Sequence, residues 1–332
     1  MTGQGFREAL QFWQELSIWQ VFGGGIVTDN ILVILGPTGS GKSALAMRVA
    51  RRVGAEILSV DAMQIYQGMD IGTAKPSLAE RHEVRHHLLD WVRPDENFSV
   101  ARFVALAEET IAQANGRGAK LIACGGTPLY YQSLFYGLFD GPAADARVRG
   151  KLGEFSGEVL HEKLSAVDPA AAGRIHASDR KRLIRALEVH ELTGQTISSL
   201  QTQWDAAAAR HAAVWVGLHW ETPELNRRLN ARARDMIAAG WVDEVRRLAR
   251  LYPTWSQTAR SATGYLELLD HLQGKQSLED AVEKIKIATR QLARRQMKWF
   301  RRFSQVHWLP GDASEEENLE KTLRLWETGG KL

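Results

Sequence analysis

Residues Gly36-Pro37-Thr38-Gly39-Ser40-Gly41-Lys42-Ser43 complete the pattern G-x-x-x-x-G-K-[ST]. Residue types at this spacing bind a polyphosphate. The glycines let backbone N–H groups turn inward, and the helix that follows adds partial positive charge at its N-terminus. Lys42 would reach the terminal phosphates and Ser43 would hold a magnesium ion. Asp61 ends a second apolar run, Ile57-Leu58-Ser59-Val60. A carboxylate beside bound phosphate either holds magnesium or takes a proton from an attacking group. An aspartate in that place can equally cap a helix. Gly125-Gly126-Thr127 closes a third apolar run, Leu121–Cys124. The motif reports a polyphosphate and leaves open which one, and what is done with it.

Other reactive residue types give weaker signals. Lys75, in the loop Gly68–Pro76, either meets a phosphate or RNA backbone or is a solvated loop lysine. His82, His86 and His87 complete no zinc motif, so a structural role is expected, with His82 and His86 able to share a helix face. Cys124, the single cysteine, lies in an apolar run and is expected to be a buried strand residue. There is no glycosidase-like carboxylate pair, no serine nucleophile elbow, no Cys–His zinc module and no [NT]-K-x-D guanine signal.

The elements that must position these residues are legible in order. Ile31–Leu35 reads as a buried strand and Ala44–Ala50 as the helix after the phosphate loop, the context that gives the motif its meaning. Strands are expected at 56–60, 120–124 and 213–218, and a helix from Val100 to Asn115 capped by Ser99. Alternating strand and helix imply a parallel sheet, so the chain is α/β with a P-loop NTPase-like sheet flanked by helices. Ligands bind outside the carboxyl ends of such strands, which puts the phosphate loop, Asp61 and Thr127 on one crevice. Residues 145–203 read as helices without a strand, an all-helical insertion. Helices are expected again at about 222–238, 240–251, 261–273 and 277–302. Residues 1–29 form an N-terminal extension with helically spaced apolar residues, ended by Gly23-Gly24-Gly25.

The chain has 332 residues and a net charge of only +3. The distribution of that charge is more telling. Arg180, Lys181, Arg182 and Arg185 cluster in the insertion, and Lys286, Arg290, Arg294, Lys298 and Arg302 recur every fourth residue. Successive members of that second set turn by about 40° on an ideal helix, which makes a slowly winding basic stripe. Ile285, Ala288, Leu292 and Trp299 should face inward, and Trp215, Trp220 and Trp241 should be core. Two basic segments beside a phosphate-loop core raise the odds of a nucleic-acid ligand. No run is long and apolar enough for a membrane span and no secretory signal is evident, so a reducing cytosol is expected.

The ordered stretches Gly36–Ser43, Val60–Tyr66, Gly68–Pro76, His86–Asp90, Gly125–Tyr130, Val167–Pro169, Arg182–Val189, Gly264-Tyr265 and Thr289–Gln296 resemble the tRNA dimethylallyltransferases, also called tRNA isopentenyltransferases. The pairing of Gly68–Pro76 with Thr289–Gln296 is the specific part. The resemblance implies transfer of a dimethylallyl group from dimethylallyl diphosphate to the N6 of the adenosine on the 3′ side of a tRNA anticodon. It implies a compact bacterial-type enzyme, monomeric and without a zinc-finger tail, using Mg2+ held in part by Ser43. Gly36, Pro37, Thr38, Gly39, Ser40, Gly41, Lys42 and Ser43 would cradle a leaving diphosphate. Asp61 would be the base, Thr127 an orienting hydroxyl and Arg232 a diphosphate contact. The RNA would meet Asp61, Ala62, Met63, Gln64 and Thr127 at the reacting base. It would be gripped by Arg149, Lys181, Arg182, Arg185, Arg260, Arg294, Arg295 and Lys298. Ala62 stands where many members have Ser. In domain terms, a core of 30–141 and 204–312 would carry an anticodon-gripping insertion at 142–203 and a C-terminal tail at 313–332.

Three other activities would share parts of this sequence. A small-molecule kinase explains Lys42, Ser43 and Asp61 but not the basic helices. An isopentenyltransferase acting on free adenine nucleotides needs no anticodon grip. A non-catalytic RNA-binding or nucleotide-sensing protein should tolerate loss of Asp61.

Overall fold

The computed structural model describes residues 31–138, 141–201 and 209–331. The helix expected within the 1–29 extension lies outside the described residues.

Six strands form one parallel sheet: β1 (Ile31–Leu35), β2 (Glu56–Ser59), β3 (His86–His87), β4 (Leu121–Gly125), β5 (Ala213–His219) and β6 (His307–Pro310). Their order is β3-β2-β4-β1-β5-β6. β1 lies centrally, with Ile31 opposite Leu121 of β4 and opposite Ala213 of β5. All five of its residues are buried, as a continuous apolar run with both faces covered requires. Ile31, Val33 and Leu35 join one core layer, while Leu32 and Ile34 join the other.

Helices cover both faces. α1 (Lys42–Val53) follows the phosphate loop and ends at Gly54. Next come α2 (Leu78–Glu83), α3 (Val100–Gly116) and α4 (Pro128–Tyr136). As expected, the Ser99 side chain caps α3, accepting from Arg102 N. An all-helical stretch then runs through α5 (Ala146–Gly153), α6 (Gly157–Val167), α7 (Pro169–Ala172), α8 (Arg180–Thr193) and α9 (Ile197–Leu200). It has its own apolar core, in which Leu160, Leu164, Leu183 and Val189 are fully buried. After β5 the chain forms α10 (Thr222–Ala238), α11 (Trp241–Leu251), a 3-10 turn at Ala259–Ser261, α12 (Tyr265–Leu272) and α13 (Leu278–Phe300).

Several expectations are corrected. The tail at 313–332 contains a helix, α14 (Glu315–Glu327), capped by Ser314. Its Leu319 and Leu323 share a core layer with Leu45 and Val49 of α1. Arg48 of α1 pairs with Glu315 and Glu316 at 2.8 and 2.5 Å. β6 is not legible in the sequence, because four residues carry too little pattern. His82 and His86 share no helix face: Val84 is extended and stops α2, and His86 and His87 enter β3. His87 Nε2 there meets Glu56 at 2.7 Å. Lys75 is neither solvated nor open to phosphate. Its fully buried ammonium donates to Tyr66 O, to Asp70 at 2.9 Å and to Asp90 at 2.5 Å. The basic stripe is also broken. Lys286 is buried and pairs with Glu283, whereas Arg294, Lys298 and Arg302 are exposed, because the stripe's winding carries its first member onto the packed face. Trp215 and Trp241 are core residues, but Trp220 and Trp299 are only half-buried.

Candidate active site

The phosphate loop turns where only glycine is comfortable. Gly39 and Gly41 have φ of 77° and 93°, in the left-handed region. Gly41 precedes α1 and offers no side-chain cap. The first-turn N–H groups, with the helix dipole behind them, are therefore left to an incoming anion. Lys42 rests its Nζ on the Pro37 carbonyl at 3.3 Å. Burial lowers its pKa, Cys124 and Asp61 nearby push it back up, and Arg232 lowers it again. A diphosphate arriving here would stabilise the charged lysine.

Asp61 and Thr127 leave the tips of β2 and β4 and meet beside this loop. Asp61 Oδ1 accepts the backbone N–H groups of Met63 at 2.8 Å and Gln64 at 3.3 Å. It thus makes an N-terminal turn cap and faces the site at the same time. Thr127 Oγ1 accepts the Ala62 N–H at 3.0 Å, which leaves its hydroxyl proton to donate. A Cβ built on Gly126 would stand 3.6 Å from Asp61 Oδ2 and 3.7 Å from Lys42 Nζ. The carboxylate oxygen and the ammonium therefore flank the same bare stretch of backbone.

Two residues absent from the sequence expectation tie this centre together. Gln296 of α13 accepts the Thr38 N–H at 2.8 Å and donates to Gly126 O at 2.6 Å, bridging the phosphate loop to the β4 loop. Arg228 of α10 donates to Gly39 O at 3.2 Å. Gln296 lies within a stretch that carried the family resemblance, but a glutamine on an amphipathic helix looks like any surface glutamine until its burial is known. Arg228 differs from other helix arginines only by lying one turn before Arg232.

Arg232 lines the cavity and makes no ion pair or hydrogen bond among the described residues. Burial lowers its pKa, the like charge of Arg228 adds to that, and Asp61 opposes it. A partly desolvated guanidinium in such a place suits an anionic ligand.

All of this opens into a cavity of about 1630 Å³ lined by Lys42, Ser43, Asp61, Thr127, Arg232 and Arg295. Ala62, Met63 and Gln64 also line it, although Gln64 is already engaged with Ser59 and with the Thr73 and Ala74 carbonyls. Arg182 and Arg185 reach it from the helical insertion, and Lys298 from α13. Arg149, Lys181, Arg260 and Arg294 are exposed and do not line it. Arg149 is bidentate on Glu188, at 2.7 and 3.0 Å, and Arg185 meets the same carboxylate at 2.7 Å. The cavity thus joins an anion cradle and a carboxylate to a basic rim at the mouth. That arrangement suits the departure of a diphosphate and the entry of a polyanion.

Residues 64–303 match the family model described as IPP transferase. The tRNA dimethylallyltransferase of Acetivibrio thermocellus is 42% identical over 304 residues, covering 90% of this chain and 97% of its own length. Among solved structures, the full-length tRNA isopentenylpyrophosphate transferase of Bacillus halodurans has a TM-score of 0.67 at 35% identity, covering 90% of this chain and 97% of that one. A eukaryotic dimethylallyltransferase acting on tRNA has a TM-score of 0.75 at 27% identity, covering 89% of this chain and 77% of that one.

Proposed function

The chain belongs to the IPP transferase family, the tRNA dimethylallyltransferases, and on that basis we propose how its own residues carry the reaction. The enzyme transfers a dimethylallyl group to tRNA. In our reading the donor is dimethylallyl diphosphate and the acceptor is the N6 amine of the adenosine on the 3′ side of the anticodon. The bond between the allylic carbon and the diphosphate oxygen breaks, a C–N6 bond forms, and one N6 proton is lost.

Each partner has a counterpart in the cavity. The adenine N6 lone pair is delocalised into the ring, so the amine must shed its proton as it attacks. Asp61 Oδ2 is the oxygen free to take it, because Oδ1 is held by two backbone N–H groups. Thr127, fixed through Ala62 N, has a hydroxyl proton with which to orient the base or the carboxylate. Lys42, the open N-terminus of α1 and Arg232 face the position where negative charge develops on the leaving diphosphate. The observation that carries this reading is the convergence of Asp61 Oδ2 and Lys42 Nζ on Gly126. It supports a proton acceptor and a leaving-group cation working on either side of the same bare backbone. The target base must leave its stack to reach them.

Magnesium belongs to the same proposal. Ser43, at the start of α1, and Asp61 line the same cavity, so the donors on offer are hard oxygens that suit Mg2+. Such an ion would neutralise charge on the diphosphate. We also assign the working unit as a single chain, since Lys42, Asp61, Thr127 and Arg232 line one cavity without needing a second copy to complete the set. A cytosolic setting fits the lone buried cysteine.

The test is a transfer assay with radiolabelled dimethylallyl diphosphate, magnesium and an unmodified anticodon stem-loop, with AMP replacing the RNA in a parallel reaction. Label is expected in RNA and not in AMP. Asp61→Asn is expected to lower turnover by about 10²–10⁴ while RNA affinity is kept. Label on AMP alone would move the assignment to a free-nucleotide enzyme. Full activity of Asp61→Asn would remove Asp61 as the base.

A further inference from the structure

Trp220, immediately after β5, grips the phosphate loop from outside its motif. Its indole Nε1 donates to the Ser40 carbonyl at 2.9 Å. Its ring face carries the Arg228 guanidinium 4.2 Å from the centroid. Arg228 in turn donates from Nε to the Gly39 carbonyl at 3.2 Å. The indole edge is seated against Gly311, just beyond β6, where a Cβ would come within 1.9 Å of Nε1. Two consecutive loop carbonyls, those of Gly39 and Ser40, are therefore held by one stacked pair. In the Ser40–Gly41 peptide the N–H points opposite to the held carbonyl, which leaves the Gly41 N–H for an anion, while the Ser40 N–H donates to Pro37 O at 3.2 Å. Arg228 also lines the cavity, close enough to Arg232 for the two like charges to feel each other. Those two cations repel, and the Trp220 ring is what Arg228 rests on.

We propose that Trp220 is a positioning residue of the diphosphate site, fixing the Gly39 and Ser40 carbonyls and the Arg228 guanidinium at the cavity wall, so that the cradle is formed before the ligand arrives. The assignment rests on the diphosphate-donor reading above. It adds to that reading a residue lying outside the phosphate-loop motif.

The experiment is a calorimetric titration of the full chain with inorganic diphosphate in magnesium buffer, paired with a titration of the anticodon stem-loop RNA. Trp220→Leu removes both the stack and the indole donor, and diphosphate affinity should fall about fivefold or more. Trp220→Phe keeps a ring under Arg228 and should recover most of the loss. RNA affinity should stay within about twofold for both variants. Because Trp220 acts in part through Arg228, adding Arg228→Gln to Trp220→Leu should cost clearly less than it does in the unaltered chain.

Unchanged diphosphate affinity in Trp220→Leu would overturn the assignment. So would an equal fall in both affinities together with a lowered melting temperature, which would mark a general packing role. Unaltered protein that binds no diphosphate would remove the donor reading, and this assignment with it. Unaltered protein that binds, beside a Trp220→Leu variant that binds equally well, would remove this assignment alone.

Discussion

Gln296 is buried between the phosphate loop and the β4 loop and uses both ends of its amide. Its neighbour Gly126 is bare for a reason that geometry supplies. A Cβ there would stand 2.8 Å from Gln296 Nε2. Gly126 has no positive φ, so Gly126→Ala is not a backbone problem. The added methyl would push the glutamine off Gly126 O and release Thr38 N–H. We expect stability to fall by about 1 kcal/mol, as for mild overpacking, while turnover falls more than about tenfold. Thermal unfolding and single-turnover transfer on the same preparation check this, and a loss of stability without a loss of rate would refute it. A glycine after a strand reads as a turn in sequence. That this one is a packing constraint on a helix 170 residues away follows only from the fold.

At the scale of elements, one buried carboxylate ties α5 to α8 within the helical insertion. Glu188 of α8 is fully buried and accepts from Arg149 of α5, from Arg185 one turn earlier, and from the Asp145 N–H. Burial pushes its pKa up, but the arginines and the backbone N–H outweigh this and hold it below the ordinary carboxylate range. A carboxylate with a depressed folded pKa stabilises fully above its unfolded value, about 4.3 for glutamate, and that contribution is lost as pH falls through the folded value. The insertion should therefore loosen in acid before the sheet does, which hydrogen exchange of α5 and α8 against β1 would follow. Glu188→Ala should cost about 2–3 kcal/mol in urea unfolding, less than a fully buried pair because Arg149 can rehydrate. Arg149 and Arg185 read in sequence as arginines aimed at RNA. In the fold both are engaged with Glu188, and Arg185 also reaches the cavity.

At the scale of the molecule, the cavity lies where the sheet's carboxyl edge, the insertion and α13 meet. Arg182 from the insertion and Arg295 and Lys298 from α13 line it from different sides. Cations on two walls of one cavity can hold a polyanion without a large net charge, which explains how +3 is enough. If these residues meet RNA phosphates, Arg182→Gln and Lys298→Gln should each weaken stem-loop binding and lower the slope of log affinity against log salt by about one or slightly less. Fluorescence anisotropy from low to moderate salt measures that slope. An unchanged slope would show that the replaced residue meets no phosphate.

The sequence by itself determined the phosphate loop, the strands that precede Asp61 and Thr127, the strand-free insertion and the family. These are local patterns: a motif of eight residues, apolar runs of four to seven, and caps such as Ser99. Tertiary structure decided which polar residues serve the site and which serve the scaffold. Lys75, Glu188 and Glu244 are ordinary loop and helix residues in sequence. Burial turns Lys75 into the centre of an ion cluster, and Glu244 into the acceptor for three backbone N–H groups of the Asp70–Gly72 loop. Gln296, Trp220 and Arg228 reach the phosphate loop across 258, 180 and 189 residues. No local spacing encodes contacts at that separation, because only the packing of α10, α13 and the β5 end against the sheet creates them.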